Sequence, residues 1–299
     1  MKLRRLGEDR LLAELLPTLG RSPGVIAGAG DDCAVVRLPR GKLLLLKCDC
    51  VVEKVHFQSD TPPRAIGWKA MMRPLSDFAA MSGLPQYALV TLMLPAQRTS
   101  EWVKKLYAGL RGAAARFDVT IVGGETSSTP GPVAITVSVS GFVESNRWVG
   151  RSGGKAGDDL FVTGRLGGSI RGKHLLFVPR ITESRWLTQN FSIHAMMDLS
   201  DGLGSDLPRL AKASGVGFEI DEKRLPLNPG AKPANAISDG EDFELLFAIS
   251  PRHSDQLEAR WRKKFPRLQL TRIGRLNRKS VRLRRIKNRK LRSGYVHFK

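Results

Sequence analysis

A chain of 299 residues exceeds the usual single-domain size, so two domains are expected, each long enough to bury a core. Hydrophobic residues make up 41%, charged residues 26% and aromatics 7%, a globular balance that excludes fibrous and disordered classes. The net charge of +21 is lopsided, because residues 251–299 hold 18 basic against 2 acidic groups while residues 151–250 are close to neutral. In chain order, 43–52 reads as a buried strand and 63–82 as a helix with Trp68, Met72, Leu75 and Ala79 near one face and a kink expected at Pro74. A strand at 87–94, a helix at 101–117 and a strand at 119–122 follow. Residues 133–143 then alternate Val133, Ile135, Val137 and Val139 inward as a half-exposed strand. The first half is therefore α+β. A polar, Gly-rich stretch at 146–159 marks a boundary, giving domains 1–150 and 151–299. The second half reads as α/β, with strands at 160–163, 217–220 and 243–249 and helices at 203–213 and 251–264.

No apolar run approaches a membrane span, and the N-terminus MKLRRLGEDRLL lacks a signal-peptide core, so a cytoplasmic protein without membrane contact is expected. Cys33, Cys48 and Cys50 are too few for a disulfide framework, and read as reduced, mostly buried residues. The basic stretch 272–292 could bind nucleic acid or an acidic partner. No helix-turn-helix, zinc-finger spacing or aromatic RNA-binding signature accompanies it, and the favoured reading is a solvated basic face.

Two nucleotide fingerprints fail on inspection. Gly167-x4-Gly172-Lys173 spells most of a P-loop, but His174 stands where a Ser or Thr hydroxyl should hold magnesium, and Ile170 and Arg171 are bulky for a phosphate cradle. Gly28-Ala29-Gly30 is followed by acids rather than by a third glycine and a helix. The informative residues are acids at the ends of apolar segments, where bare carboxylates are costly: Asp31-Asp32 before Cys33 to Val36, Asp49 within LLLLKCDCVV, Asp77 on a helix, and Asp198 and Asp201 around Ser200. Each alone could pair with a Lys or Arg. Several beside Gly-rich turns suit a hard cation bridging phosphate oxygens.

Nine segments in order resemble the thiamine-monophosphate kinases, in the superfamily of aminoimidazole ribonucleotide synthetase and selenophosphate synthetase. They are GAGDDCAVV at 28–36, DCVVEKVHF at 49–57, GWKAMMRPLSDFAAMSGLP at 67–85, GGET at 123–126, RSGGKAGDDLFVTGRLG at 151–167, MDLSDGLGSDL at 197–207, SGVG at 214–217, DGEDFELLF at 239–247 and GYVHF at 294–298. The resemblance implies a two-domain fold, an N-terminal mixed-sheet domain that dimerises plus a C-terminal α/β domain, with the active site between them. It implies transfer of a phosphoryl group from ATP to thiamine monophosphate in a homodimer, at magnesium ions held by Asp32, Asp49, Asp77, Glu125, Asp198 and Asp201. It also implies contacts to ATP from Gly124, Arg151 and Ser200, and to thiamine monophosphate from His56, Glu241 and Tyr295, with no general base. The chain departs from the family at Lys47 and Cys48, where hydroxyl residues are usual, and at Glu125, where Asp is usual. Those departures keep two alternatives open: a divergent member acting on another small phosphorylated or acidic substrate, and a degenerate paralogue binding RNA or an acidic partner through its basic tail.

Overall fold

A computed structural model describes residues 3–6, 8–19, 22–39 and 42–278. Two short helices, α1 (Leu3–Leu6) and α2 (Glu8–Leu15), precede a sheet whose strands are β1 (Val25–Ala27), β2 (Ala34–Arg37), β3 (Lys42–Val52), β4 (Leu84–Leu94), β5 (Thr120–Ser128) and β6 (Ala134–Glu144). They lie in the order β1-β2-β3-β6-β4-β5, antiparallel except for the parallel pair β4 and β5. A second sheet, β7 (Asp159–Thr163), β8 (Ile193–Asp198), β9 (Gly217–Ile220), β10 (Leu245–Ile249) and β11 (Leu270–Asn277), is ordered β8-β10-β7-β11-β9 with antiparallel pairs throughout.

Helix α3 (Pro63–Ala80) is the hinge of the architecture. Most of its residues are buried, Lys69, Ser76 and Asp77 among them, because it packs on β3 and β6 of the first sheet and also meets β8 of the second. A helix buried nearly all round loses the one-sided apolar stripe of a surface helix. It continues through Pro74 to Ala80, and α4 (Ser100–Ala115) lies against it. Their closeness is set by glycine: a Cβ on Gly67 would sit 2.1 Å from the Leu106 carbonyl oxygen, and one on Gly109 2.0 Å from that of Arg64. The remaining helices are α5 (Lys173–Leu176), α6 (Ile181–Asn190), α7 (Leu203–Ala213), α8 (Pro233–Ser238) and α9 (Pro251–Lys264).

The strand expected at 119–122 runs on to Ser128, since parallel pairing with β4 carries the Gly-rich segment that propensity alone would end. The strand expected from 243 starts at Leu245, because Glu241 and Phe243 hold left-handed backbone, with φ of 54° and 50°. Strands β8 and β11 were not anticipated: their segments alternate poorly, and the sheet pairing supplies what periodicity lacks. Cys33 is buried as expected, whereas Cys48 is exposed because β3 turns every second residue to the outer face of the first sheet. That outer face also exposes Leu46, Tyr87, Leu89, Met93 and Val122.

Candidate active site

Three carboxylates converge on the seam between the sheets. Asp32 stands in the turn before β2, Asp77 near the end of α3 and Asp198 on the last residue of β8, and an oxygen of each lies within 4.8 Å of the others. All three are buried. Like charges this close in a dry setting repel, and burial together with the neighbouring Asp32 pushes the Asp198 carboxyl up to about 7. Burial likewise raises Asp77 well above the usual carboxylate range.

The protein offsets part of this cost with its own donors. Arg151 places Nη2 2.6 Å from Asp32 Oδ1, Lys47 Nζ lies 2.9 Å from Asp77 Oδ1, and the Ser76 hydroxyl donates to Asp198 Oδ2 at 2.5 Å. Asp32 Oδ2 is left buried with no hydrogen-bond partner among the described residues. An orphaned carboxylate oxygen beside two further carboxylates is a donor set suited to a hard divalent cation such as Mg2+.

The other residues expected at the metals behave differently. Asp49 lies 3.7 Å from Lys47 Nζ and outside the three-acid group, so Lys47 bridges Asp77 and Asp49 with an ammonium. Asp201 is held by Arg209, and its backbone N–H donates to Asp206 Oδ2 at 3.0 Å, which draws it toward the start of α7. Glu125 is exposed on β5, where its Oε1 accepts from the Thr126 N–H at 3.0 Å.

Of the expected nucleotide contacts, Gly124 is the one whose backbone requires glycine. Its φ is 154°, and a Cβ would lie 1.8 Å from the Val90 carbonyl oxygen. Arg151 also donates its backbone N–H to Asp31 Oδ1 at 3.0 Å, tying the start of the second half to the Asp31-Asp32 turn. The Ser200 carbonyl accepts from the Glu241 N–H at 2.7 Å, which docks the loop after β8 onto the loop before β10.

A second cluster gathers His56 and Glu241 around a lysine that sequence reading did not assign. Lys69 Nζ donates to the His56 carbonyl at 2.6 Å and to Glu241 Oε2 at 2.8 Å, with its side chain wholly buried. Burial lowers the Lys69 ammonium to about 8 against the opposing pull of Glu241. The available signal was a lysine inside GWKAMM, an apolar setting in which a cation needs a partner. The His56 Nδ1 accepts from the Val52 N–H at 3.0 Å. Tyr295 and most of the basic stretch 272–292 lie outside the described residues.

The near-P-loop is occupied by the protein's own acids. The Gly167 N–H donates to Asp242 Oδ2 at 2.9 Å and that of Gly168 to Asp239 Oδ2 at 2.9 Å, while Lys173 Nζ lies 3.1 Å from Glu244 Oε1. Arg180 grips the same Glu244 with two contacts of 2.7 Å, so Glu244 keeps a partner if Lys173 is lost. Lys173→Ala is accordingly expected to change ATP affinity by no more than a few-fold in equilibrium titration. A hundredfold loss, about 2.7 kcal/mol, would show that this lysine reaches the nucleotide.

Comparison with known proteins adds independent findings. The AIR synthase related protein, N-terminal domain, matches residues 30–143, and its C-terminal domain matches residues 131–281. The thiamine-monophosphate kinase of Rhodopirellula baltica is 38% identical over 270 residues, covering 84% of this chain and 85% of the relative. That of Aquifex aeolicus is 36% identical over 304 residues, covering 92% and 93%. Among solved structures, AaThiL complexed with AMPPCP and TMP superposes with a TM-score of 0.80 at 34% identity, covering 94% of each chain.

Proposed function

The chain belongs to the AIR synthase related family and, within it, to the thiamine-monophosphate kinases, and from that membership we propose that it moves the γ-phosphoryl group of ATP onto thiamine monophosphate. The bond from the γ-phosphorus to the β,γ-bridging oxygen breaks, a bond from that phosphorus to a terminal oxygen of the acceptor's phosphate forms in line, and ADP and thiamine diphosphate leave. The observation that carries this reading is the convergence of Asp32, Asp77 and Asp198, from both halves of the chain, on one buried point.

Asp32, Asp77 and Asp198 would hold Mg2+, with Asp49, Glu125 and Asp201 proposed as further ligands. Bound there, Mg2+ would supply positive charge to offset that of the two anionic reactants. The residues around it orient and screen. The bare Cα of Gly124 lets β5 lie against the Val90 carbonyl of β4, and Gly124, Arg151 and Ser200 are the proposed nucleotide contacts. His56 and Glu241, braced by Lys69, form the proposed thiamine end, where the Glu241 carboxylate faces the cationic thiazolium; Tyr295 completes that proposal. The attacking phosphate oxygen is already ionised at neutral pH, so no side chain has to remove a proton. Residues 1–150 and 151–299 are proposed as the two units that meet at this site. The three free cysteines fit a reducing compartment, and the cytoplasm is the proposed location.

The deciding assay incubates the protein with ATP, Mg2+ and thiamine monophosphate and follows products by chromatography. Thiamine diphosphate and ADP are expected in equal amounts. ADP without thiamine diphosphate, or neither product, would overturn the reading.

A homodimer is part of the same proposal. Leu46, Tyr87, Leu89, Met93 and Val122 form an exposed apolar surface on the outer face of the first sheet, and a second copy of the same face would cover it. Leu89→Arg should weaken self-association about a hundredfold or more in sedimentation equilibrium, since an unpaired charge at an interface costs roughly 2–5 kcal/mol. A parent protein that sediments as a monomer at high micromolar concentration would refute the dimer.

A further inference from the structure

Helix α3 carries Lys69, Arg73 and Asp77 at intervals of four residues, so the three share one face, with Ser76 beside them. At the helical rise, Lys69 and Asp77 are about 12 Å apart along the axis with Arg73 midway. The two ends of this face have distinct chemistry. Lys69 belongs to the cluster with His56 and Glu241, whereas Asp77 belongs to the three acids, and Ser76 gives its hydroxyl to Asp198. Arg73 therefore stands between the proposed thiamine end and the proposed phosphoryl donor.

Among the described residues no carboxylate forms an ion pair with it. Arg73 Nε and Nη1 are closed off from solvent and have no hydrogen-bond partner among the described residues. Other cations around the seam each face an acid: Lys47 has Asp77, Lys69 has Glu241, Arg151 has Asp32 and Arg180 has Glu244. A partly buried guanidinium without a counter-charge is costly unless an anion is bound against it. Arg73 is also close enough to Lys69 to add, after burial, to the depression of that ammonium. Two neighbouring cations and one carboxylate, paired with Lys69, leave a net positive charge on this part of the face. A phosphate monoester matches it in charge, and its oxygens match the planar donor fork of arginine.

We propose that Arg73 grips the phosphate of the acceptor, holds its attacking oxygen toward the acid cluster, and makes the site prefer thiamine monophosphate over unphosphorylated thiamine. This assignment rests on the thiamine-monophosphate kinase reading and names the residue that would select its phosphorylated acceptor.

The test measures equilibrium binding of thiamine monophosphate and of thiamine by calorimetry, for the parent protein, Arg73→Gln and Arg73→Lys. The parent should bind the phosphorylated ligand more tightly. Arg73→Gln should lose about thirtyfold or more of that affinity, bringing it near the affinity for thiamine, which itself should stay within about twofold, as should binding of Mg2+ and ATP. Arg73→Lys should fall between, since an ammonium keeps the charge and loses the fork. Equal weakening toward both ligands would reduce Arg73 to a structural role, and unchanged discrimination in Arg73→Gln would place it away from the acceptor; either outcome overturns the proposal. If Arg73→Gln fails to fold, Arg73→Lys decides alone, and an unchanged preference in it sinks the assignment. A parent that forms thiamine diphosphate while Arg73→Gln retains its preference refutes only the role of Arg73. A parent that binds neither ligand and forms no product refutes the functional reading as well.

Discussion

Asp198→Asn is expected to lower magnesium-dependent turnover about a thousandfold while leaving the protein folded. The substitution keeps shape and volume but removes one of three negative charges that converge within 4.8 Å. Groups that hold charge in place for a phosphoryl transfer are typically worth a factor of ~10²–10³ each, and here the loss also weakens capture of the cation on which the others depend. Stability should not follow activity. Burial already pushes the Asp198 carboxyl up to about 7, so its charge is a burden on the metal-free fold, and the uncharged amide removes that burden. The expected pattern is a thermal midpoint in chelator at least equal to the parent's, alongside turnover near background. Turnover within tenfold of the parent would remove Asp198 from the metal site, whereas a large fall in midpoint would assign it a structural role instead.

Lys47→Met should show the opposite pairing, a marked loss of stability that divalent cations partly repair. The Lys47 ammonium lies 2.9 Å from Asp77 Oδ1 and 3.7 Å from Asp49 Oδ1, and the lysine and aspartate side chains keep only 10–21% of their surface exposed. Removing one partner of a buried ion pair costs roughly 3–5 kcal/mol, and the remaining exposure argues for about 3 kcal/mol or slightly less. In chelator the variant should therefore melt several degrees below the parent. Mg2+ should raise its midpoint by clearly more than it raises the parent's, because the two freed carboxylates gain a cation that the parent supplies from its own lysine side chain. Equal shifts in parent and variant would show that the lysine and the metal do not compete for the same oxygens. The departure from the family at this position thus has a measurable meaning: one positive charge of the site is covalently built in.

Much of the candidate site was legible because a carboxylate at the end of an apolar segment violates the local rule for burial. Asp32, Asp77 and Asp198 announced themselves that way, and the structure brings them together. The same logic applied to a lysine among Ala and Met would have exposed Lys69, whose partner Glu241 lies 172 residues further on. Asp201 had the same local appearance as the convergent three, and Glu125 was implied by the family resemblance. Glu125 is exposed on an edge strand and Asp201 is drawn to Arg209, distinctions that no local pattern encodes. The rejected P-loop was legible from His174 and its bulky neighbours, but the decisive fact, that Asp239 and Asp242 occupy its glycine N–H groups, is tertiary.

The sequence by itself determined the elements with strong periodicity, since α3, α4, α7, α9, β3 and β6 lie where the spacing of apolar residues puts them. It also determined the family, through the order of its motifs, and the set of acids from which the site is drawn. Only the tertiary structure decided which acids meet, which cation pairs with which, and that Arg73 has no partner among the described residues. The physical reason is range. Periodicity and turn preference act between neighbours a few residues apart, whereas burial and Coulomb interaction act through space, between groups that the chain separates by a hundred residues or more and that a helix between two sheets brings together.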